Sequence, residues 1–126
     1  MFKYFNPNPG TSMAAGDCVV RMICCVTGLN WEDAYKEVCD KGLQIYDMPS
    51  TNRVWMSYLM QDLGFVKDII YNICPACYTV KDFCKEFHKG LFVLATGTHV
   101  LTVIDGDYYD SWDSGNESPI IFFAKI

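Results

Sequence analysis

Residues 98–112 read Thr-His-Val-Leu-Thr-Val-Ile-Asp-Gly-Asp-Tyr-Tyr-Asp-Ser-Trp. Asp105-Gly106 suits a two-residue hairpin turn, because both residue types tolerate positive φ. β-branched and aromatic residues lie on either side, so the stretch predicts two antiparallel strands, Thr98 to Ile104 and Tyr108 to Trp112. A two-residue loop would pair Ile104 with Asp107 and His99 with Trp112. Side chains alternate between faces along a strand. His99, Leu101 and Val103 would then share a face with Tyr108, Asp110 and Trp112. Asp110 would lie diagonally from His99, within reach of one ring nitrogen. A three-residue loop would instead bring Asp113 opposite His99, so the turn leaves two candidate carboxylates.

Outward from this hairpin, Leu91 to Thr96 and Pro119 to Ile126 are further strand candidates. The chain upstream is helical by its periodicity. Val19, Val20, Ile23 and Val26 recur at helical spacing over Asp17 to Thr27, and Gly28 is a natural stop. Asn30 suits an N-cap, with Asp33 three residues on; Trp31, Ala34, Tyr35 and Val38 form the apolar stripe, and Gly42 is the expected end. A third helix is expected from Ser50 or Thr51 through Val54, Trp55, Tyr58, Leu59 and Leu63 to Gly64. Thr79 should cap a fourth that runs through Phe83 and Phe87 to Gly90. The opening Asn6-Pro7-Asn8-Pro9-Gly10 is turn chemistry and predicts an irregular start. Helices followed by a small antiparallel sheet make an α+β domain spanning residues 1–126.

Composition narrows the function classes. A chain of 126 residues with 51% apolar and 15% aromatic content can bury one core. The net charge of −5 and the scattered Lys and Arg argue against a nucleic-acid-binding face. No apolar run approaches the roughly 20 residues that span a bilayer, and residues 1–9 lack the pattern of a secretory signal. The seven cysteines are an odd number, which suits reduced thiols in a cytoplasmic protein better than a disulfide scaffold. Most should be small buried hydrophobes.

Cys18 differs from the other cysteines in its position. It follows Gly16-Asp17 at the start of an apolar helix, where free N–H groups and the helix dipole favour a thiolate. Cys18, His99 and a carboxylate form a nucleophile, a base and a group that orients the base. Asp17 is expected to be an N-cap, and Arg21, one turn after Cys18, a member of a local ion pair. Trp112 is expected to wall off the histidine, and His88 to sit at a helix end where a cation suits the dipole.

The chain order Cys, His, Asp, with the Cys on the first long helix, resembles the papain-like cysteine peptidase superfamily. Asp110-Ser111-Trp112 matches the Asn-Ser-Trp tripeptide of that superfamily with Asp for Asn, which favours Asp110 over Asp113. Gly16 to Arg21, Trp31 with Ala34 and Tyr35, Val80 to Phe83, Gly90 and His99 to Asp113 together resemble small papain-like proteins of bacteria and their phages. The resemblance implies a papain-like fold and a Cys18–His99–Asp110 triad acting through a thioester on a peptide or protein, without a cofactor or metal. Papain-like peptidases also carry a Gln about six residues before the Cys as oxyanion donor. Position 12 is Ser here, and the amides upstream are Asn6 and Asn8, so one of these would serve beside the Cys18 N–H.

Three function classes follow. The first is a thiol hydrolase, or an acyl transferase using the same residues. The second is a non-catalytic binding protein on the same scaffold, such as a phage-encoded inhibitor of a host factor. The third is a redox or zinc module built on Cys74-Pro75-Ala76-Cys77, with Cys84 or Cys39 as further ligands. A lone CxxC is the weakest of the three signals. A short rim to any cleft is expected at Asp47-Met48-Pro49-Ser50. Neither the substrate nor the oligomeric state is encoded in a readable pattern.

Overall fold

The computed structural model describes residues 1–10, 16–71 and 77–125. Helix α1 spans Cys18–Thr27 and ends at Gly28 in the left-handed conformation. Helix α2 spans Trp31–Ile45, with the Asn30 side chain accepting from the Asp33 N–H. Helix α3, Asn52–Ser57, runs into a π-helical turn over Tyr58–Asp62. Helix α4, Val80–Glu86, opens on a full capping box between Thr79 and Asp82.

Gly42 does not end α2. The helix runs one turn further, and Tyr46 takes the left-handed capping position. Gly42 is buried, and a Cβ there would approach the Asp47 carbonyl oxygen to 2.8 Å. The glycine thus permits a close backbone approach at the turn after α2.

Among the described residues six strands form one sheet in the order β1-β5-β4-β3-β6-β2. They are β1 (Phe2–Tyr4), β2 (Phe65–Ile69), β3 (Leu91–Ala95), β4 (Val100–Ile104), β5 (Asp107–Asp110) and β6 (Ile121–Lys125). The Asp105-Gly106 turn is the two-residue loop, with Ile104 opposite Asp107 and Val103 opposite Tyr108. The sheet is mixed and not wholly antiparallel, because β1 runs parallel to β5. Two of its strands lie outside the expected set. The segment forming β1 stands beside Asn/Pro-rich turn chemistry and offers only three residues, held from outside by bonds such as Phe5 N–H to the Asp110 carbonyl. Strand β2 is an edge strand with only Phe65 buried, so it lacks an alternating apolar pattern.

The sheet separates two apolar clusters, and strand alternation assigns residues to each. Val93, Ala95, Val100 and Phe123 pack with Ile23, Ala34, Trp55 and Leu59 from α1, α2, α3 and the π turn. Phe92, Leu94, Leu101, Val103 and Tyr108 pack with Val80, Phe83 and Cys84 of α4 on the other side. Among the described residues four helices therefore flank a central mixed sheet, an α+β arrangement. No helix among the described residues is long and apolar enough to cross a membrane.

Candidate active site

The start of α1 meets the open end of the β4–β5 hairpin. Strict alternation would turn His99 and Asp110 toward α4, along with Leu101, Val103 and Tyr108. The β4–β5 pairing stops at Thr102 opposite Tyr109, and beyond it both side chains meet residues of α1. His99 Nε2 lies 2.6 Å from Asp110 Oδ2. An ionised carboxylate only accepts, so Nε2–H donates and Nδ1 is left for Cys18, with which the His99 ring hydrogen-bonds. The Val100 N–H donates to the same sulfur. The His99 backbone is fixed in turn by its N–H donating to Thr96 Oγ1 at 2.9 Å.

Asp110 is fully buried and all four acceptor positions of its carboxylate are used. Oδ2 accepts from His99 and from the Ser114 hydroxyl at 2.7 Å. Oδ1 accepts from the Ser111 N–H at 2.8 Å and from Arg21 Nη2 at 3.1 Å. Asp113 stands elsewhere, accepting from the Tyr108 hydroxyl at 2.5 Å and the Gly115 N–H at 3.0 Å, so the structure removes it as the alternative partner of His99. The Trp112 ring lies 5.0 Å from the His99 ring, centroid to centroid, and covers the histidine while remaining half-exposed itself.

Electrostatics separates Cys18 from the other thiols. Burial raises the Cys24, Cys25 and Cys84 thiols, the latter two to about 11. Burial also opposes a Cys18 thiolate. The His99 hydrogen bond, the Val100 N–H and the charges of His99 and Arg21 outweigh it and draw Cys18 below its ordinary value. For His99, burial disfavours the imidazolium, but Asp110 and Cys18 lift it to about 9. Burial likewise opposes the Asp110 carboxylate, and the bonds from His99 and Ser114 hold it below the usual range. These contacts shift Cys18 toward the thiolate and His99 toward the imidazolium, relative to the free side chains.

Other expectations resolve differently. Asp17 occupies the N-cap position but makes no side-chain cap bond. Its carboxylate instead accepts from Arg21 Nη1, Asn8 Nδ2 and Trp31 Nε1 at 2.8–2.9 Å. Asn8 is therefore tied to Asp17 rather than to Cys18. The Asn6 carbonyl oxygen accepts from the Asn8 N–H at 3.3 Å, in an exposed turn. The Asn8 amide N–H is thus taken up by Asp17, away from the expected oxyanion role. Thr11 and Ser12 lie outside the described residues. His88 packs against Gly106 at the hairpin turn. Cys77 is disulfide-bonded, not a reduced thiol, and Cys74 lies outside the described residues. The described residues hold no His, Cys, Asp and Glu group spaced for a metal ion.

Ser114 and the contact between Arg21 and Asp110 had no signal in local sequence. Their partners lie across loops or the sheet, and only the hairpin end brings them together. A cleft of about 300 Å³ opens beside Cys18 and His99, walled by Ser50, Asn52, Trp55 and Thr98. Asn52 turns its carbonyl oxygen to Trp55 Nε1 at 3.0 Å, so its amide N–H groups are what it offers to a ligand. A second groove of about 400 Å³ adjoins it across Gly16, Val19 and Ser50, with Val38, Met48 and Pro49 on its far walls. Residues 48–50 of the expected rim thus line these cavities. No family model, curated protein or solved structure matches the chain.

Proposed function

We propose that this protein is a papain-like thiol hydrolase, a cysteine peptidase or amidase, with Cys18 as nucleophile, His99 as acid–base and Asp110 as the orienting carboxylate. One observation carries the reading: among the described cysteines whose thiols are shifted, Cys18 alone is drawn down, and it meets an imidazole anchored on a buried carboxylate. The Cys18 thiolate attacks a carbonyl carbon, and the carbonyl π pair moves to oxygen. Backbone N–H groups of the first turn of α1 have no partner inside the helix and are the donors this reading assigns to the developing charge. Collapse of this intermediate breaks the bond to the leaving amine, which takes the proton from His99. Water then cleaves the resulting thioester: His99 takes a water proton, the oxygen bonds to the acyl carbon, and the C–S bond breaks to restore the Cys18 thiolate beside the His99 imidazolium. An amine in place of water gives acyl transfer with the same residues.

The two adjoining cavities favour an extended peptide or protein chain over a small substrate. Activity needs Cys18 reduced, which suits a cytoplasmic setting. The test is competitive labelling with substoichiometric iodoacetamide at neutral pH, read by peptide mass spectrometry. Cys18 should label at least tenfold faster than Cys39, another partly exposed free thiol, and His99→Ala should abolish the excess. Equal rates would sink the proposal. The Asn8–Asp17 contact, which occupies one of the two upstream amides, favours a binding role on the same scaffold. That reading predicts fast Cys18 labelling without hydrolysis of a peptide-ester library.

A further inference from the structure

Asp110 brings an extra negative charge to the thiol–imidazole pair. With a neutral acceptor at position 110, a Cys18 thiolate beside a His99 imidazolium would carry no net charge. A carboxylate there leaves an excess of one negative charge in a fully buried position. Left alone, that charge would oppose the thiolate, and burial would drive Asp110 itself to take up a proton. The charged groups joined to Asp110 by ion pairs are His99, leading into β4, and Arg21 at the start of α1, which also pairs with Asp17. Among these Arg21 is the only cation outside the reacting pair, and a guanidinium cannot be deprotonated.

The geometry of Arg21 is that of a clamp. Its side chain is nearly buried. Nη2 reaches Asp110 at 3.1 Å and Nη1 reaches Asp17 at 2.8 Å. Asp17 is anchored from behind by Asn8 in the N-terminal segment and by Trp31 at the start of α2. The planar fork spans two carboxylates that come from different elements, which a lysine could not do with a point charge.

We propose that Arg21 is a positioning residue: it is the fixed counter-ion that lets a carboxylate stand behind His99, aimed by Asp17. This rests on the thiol–imidazole reading above. A structural salt bridge would support folding alone, whereas a counter-ion also sets the pH at which Cys18 becomes reactive.

The test is the pH dependence of iodoacetamide labelling of Cys18 in wild type, Arg21→Gln, Asp110→Asn and the double variant, each checked for folding by circular dichroism. Arg21→Gln should move the acid limb up by about one pH unit, about tenfold slower labelling at pH 6. Adding Asp110→Asn removes the uncompensated charge and should return the limb most of the way to wild type. A folded Arg21→Gln variant with an unmoved limb, or a double variant whose limb stays where Arg21→Gln alone put it, overturns the inference. Should Arg21→Gln fail to fold, the double variant decides. Recovery of a cooperative thermal transition supports the counter-ion role, and continued failure overturns it. A wild-type limb at the ordinary thiol value would sink the proposed function and this inference together.

Discussion

His99 and Cys18 exchange opposite proton changes on folding, and this gives a prediction with a definite sign. The His99 value rises from 6.5 to about 9 in the fold. Taken alone, His99 contributes stability that is full below about pH 6.5 and is lost as pH rises through about 9. The Cys18 value falls below 9.0, so its contribution is present above about pH 9 and is lost as pH falls through its folded value. Between these limits folding adds proton binding at His99 and reduces it at Cys18, so the two slopes oppose each other. The wild-type thermal midpoint should therefore fall less steeply as pH rises from about 6.5 to 9 than that of a protein lacking the thiol. Cys18→Ala should expose the descending His99 limb in the same range, because Asp110 still favours the imidazolium. Parallel curves for the two proteins would count against the ion pair. On the acid side Asp110 is depressed below 3.8, so its contribution is present above that value and falls away below it.

At the scale of elements, local signals and tertiary contacts divide the control. The Asn30 cap and the Thr79–Asp82 capping box act within four residues, and both helices start where those residues indicate. Helix ends are less local. Gly28 closes α1 through its own left-handed conformation, but Gly42 is bypassed because it packs under the turn at Asp47 to Pro49. Buried Lys41, on the same turn of α2, donates to Gln61 at 2.7 Å and so ties α2 to the π turn. Gly42→Ala should therefore destabilise by about 1–3 kcal/mol, the cost of overpacking. A residue whose only task is to stop a helix would instead gain or lose a few tenths of a kcal/mol. Urea unfolding of the variant separates the two outcomes. A value within about 0.5 kcal/mol of wild type would refute the close-approach role.

At the scale of the molecule, one sheet couples two cores. Trp55 is buried among α1, α2 and the sheet, and Phe83 on the α4 side stacks on Phe87 and meets Phe92 and Phe122 edge-on. Truncating either ring to Ala should cost about 3–5 kcal/mol. Because β3, β4 and β6 contribute alternate residues to both clusters, either loss should lower a single cooperative transition. Near- and far-ultraviolet circular dichroism should give coincident melts for Trp55→Ala and Phe83→Ala. Separate transitions would mean the two faces fold independently.

The sequence by itself determined the features whose causes are local. These are the helix starts, a hairpin turn at Asp105-Gly106 between two strands, and a thiol at a helix N-terminus. Each depends on residues a few positions apart, where backbone preference, capping and alternation act directly. Only the tertiary structure decided the parallel β1–β5 edge, the β2 edge strand and the choice of Asp110 over Asp113. It also assigned Asp17 to Arg21, Asn8 and Trp31 rather than to capping, and closed the Asp110 shell with Ser114 and Arg21. Those contacts join residues far apart in the chain, and their partners are set by how the hairpin end meets α1.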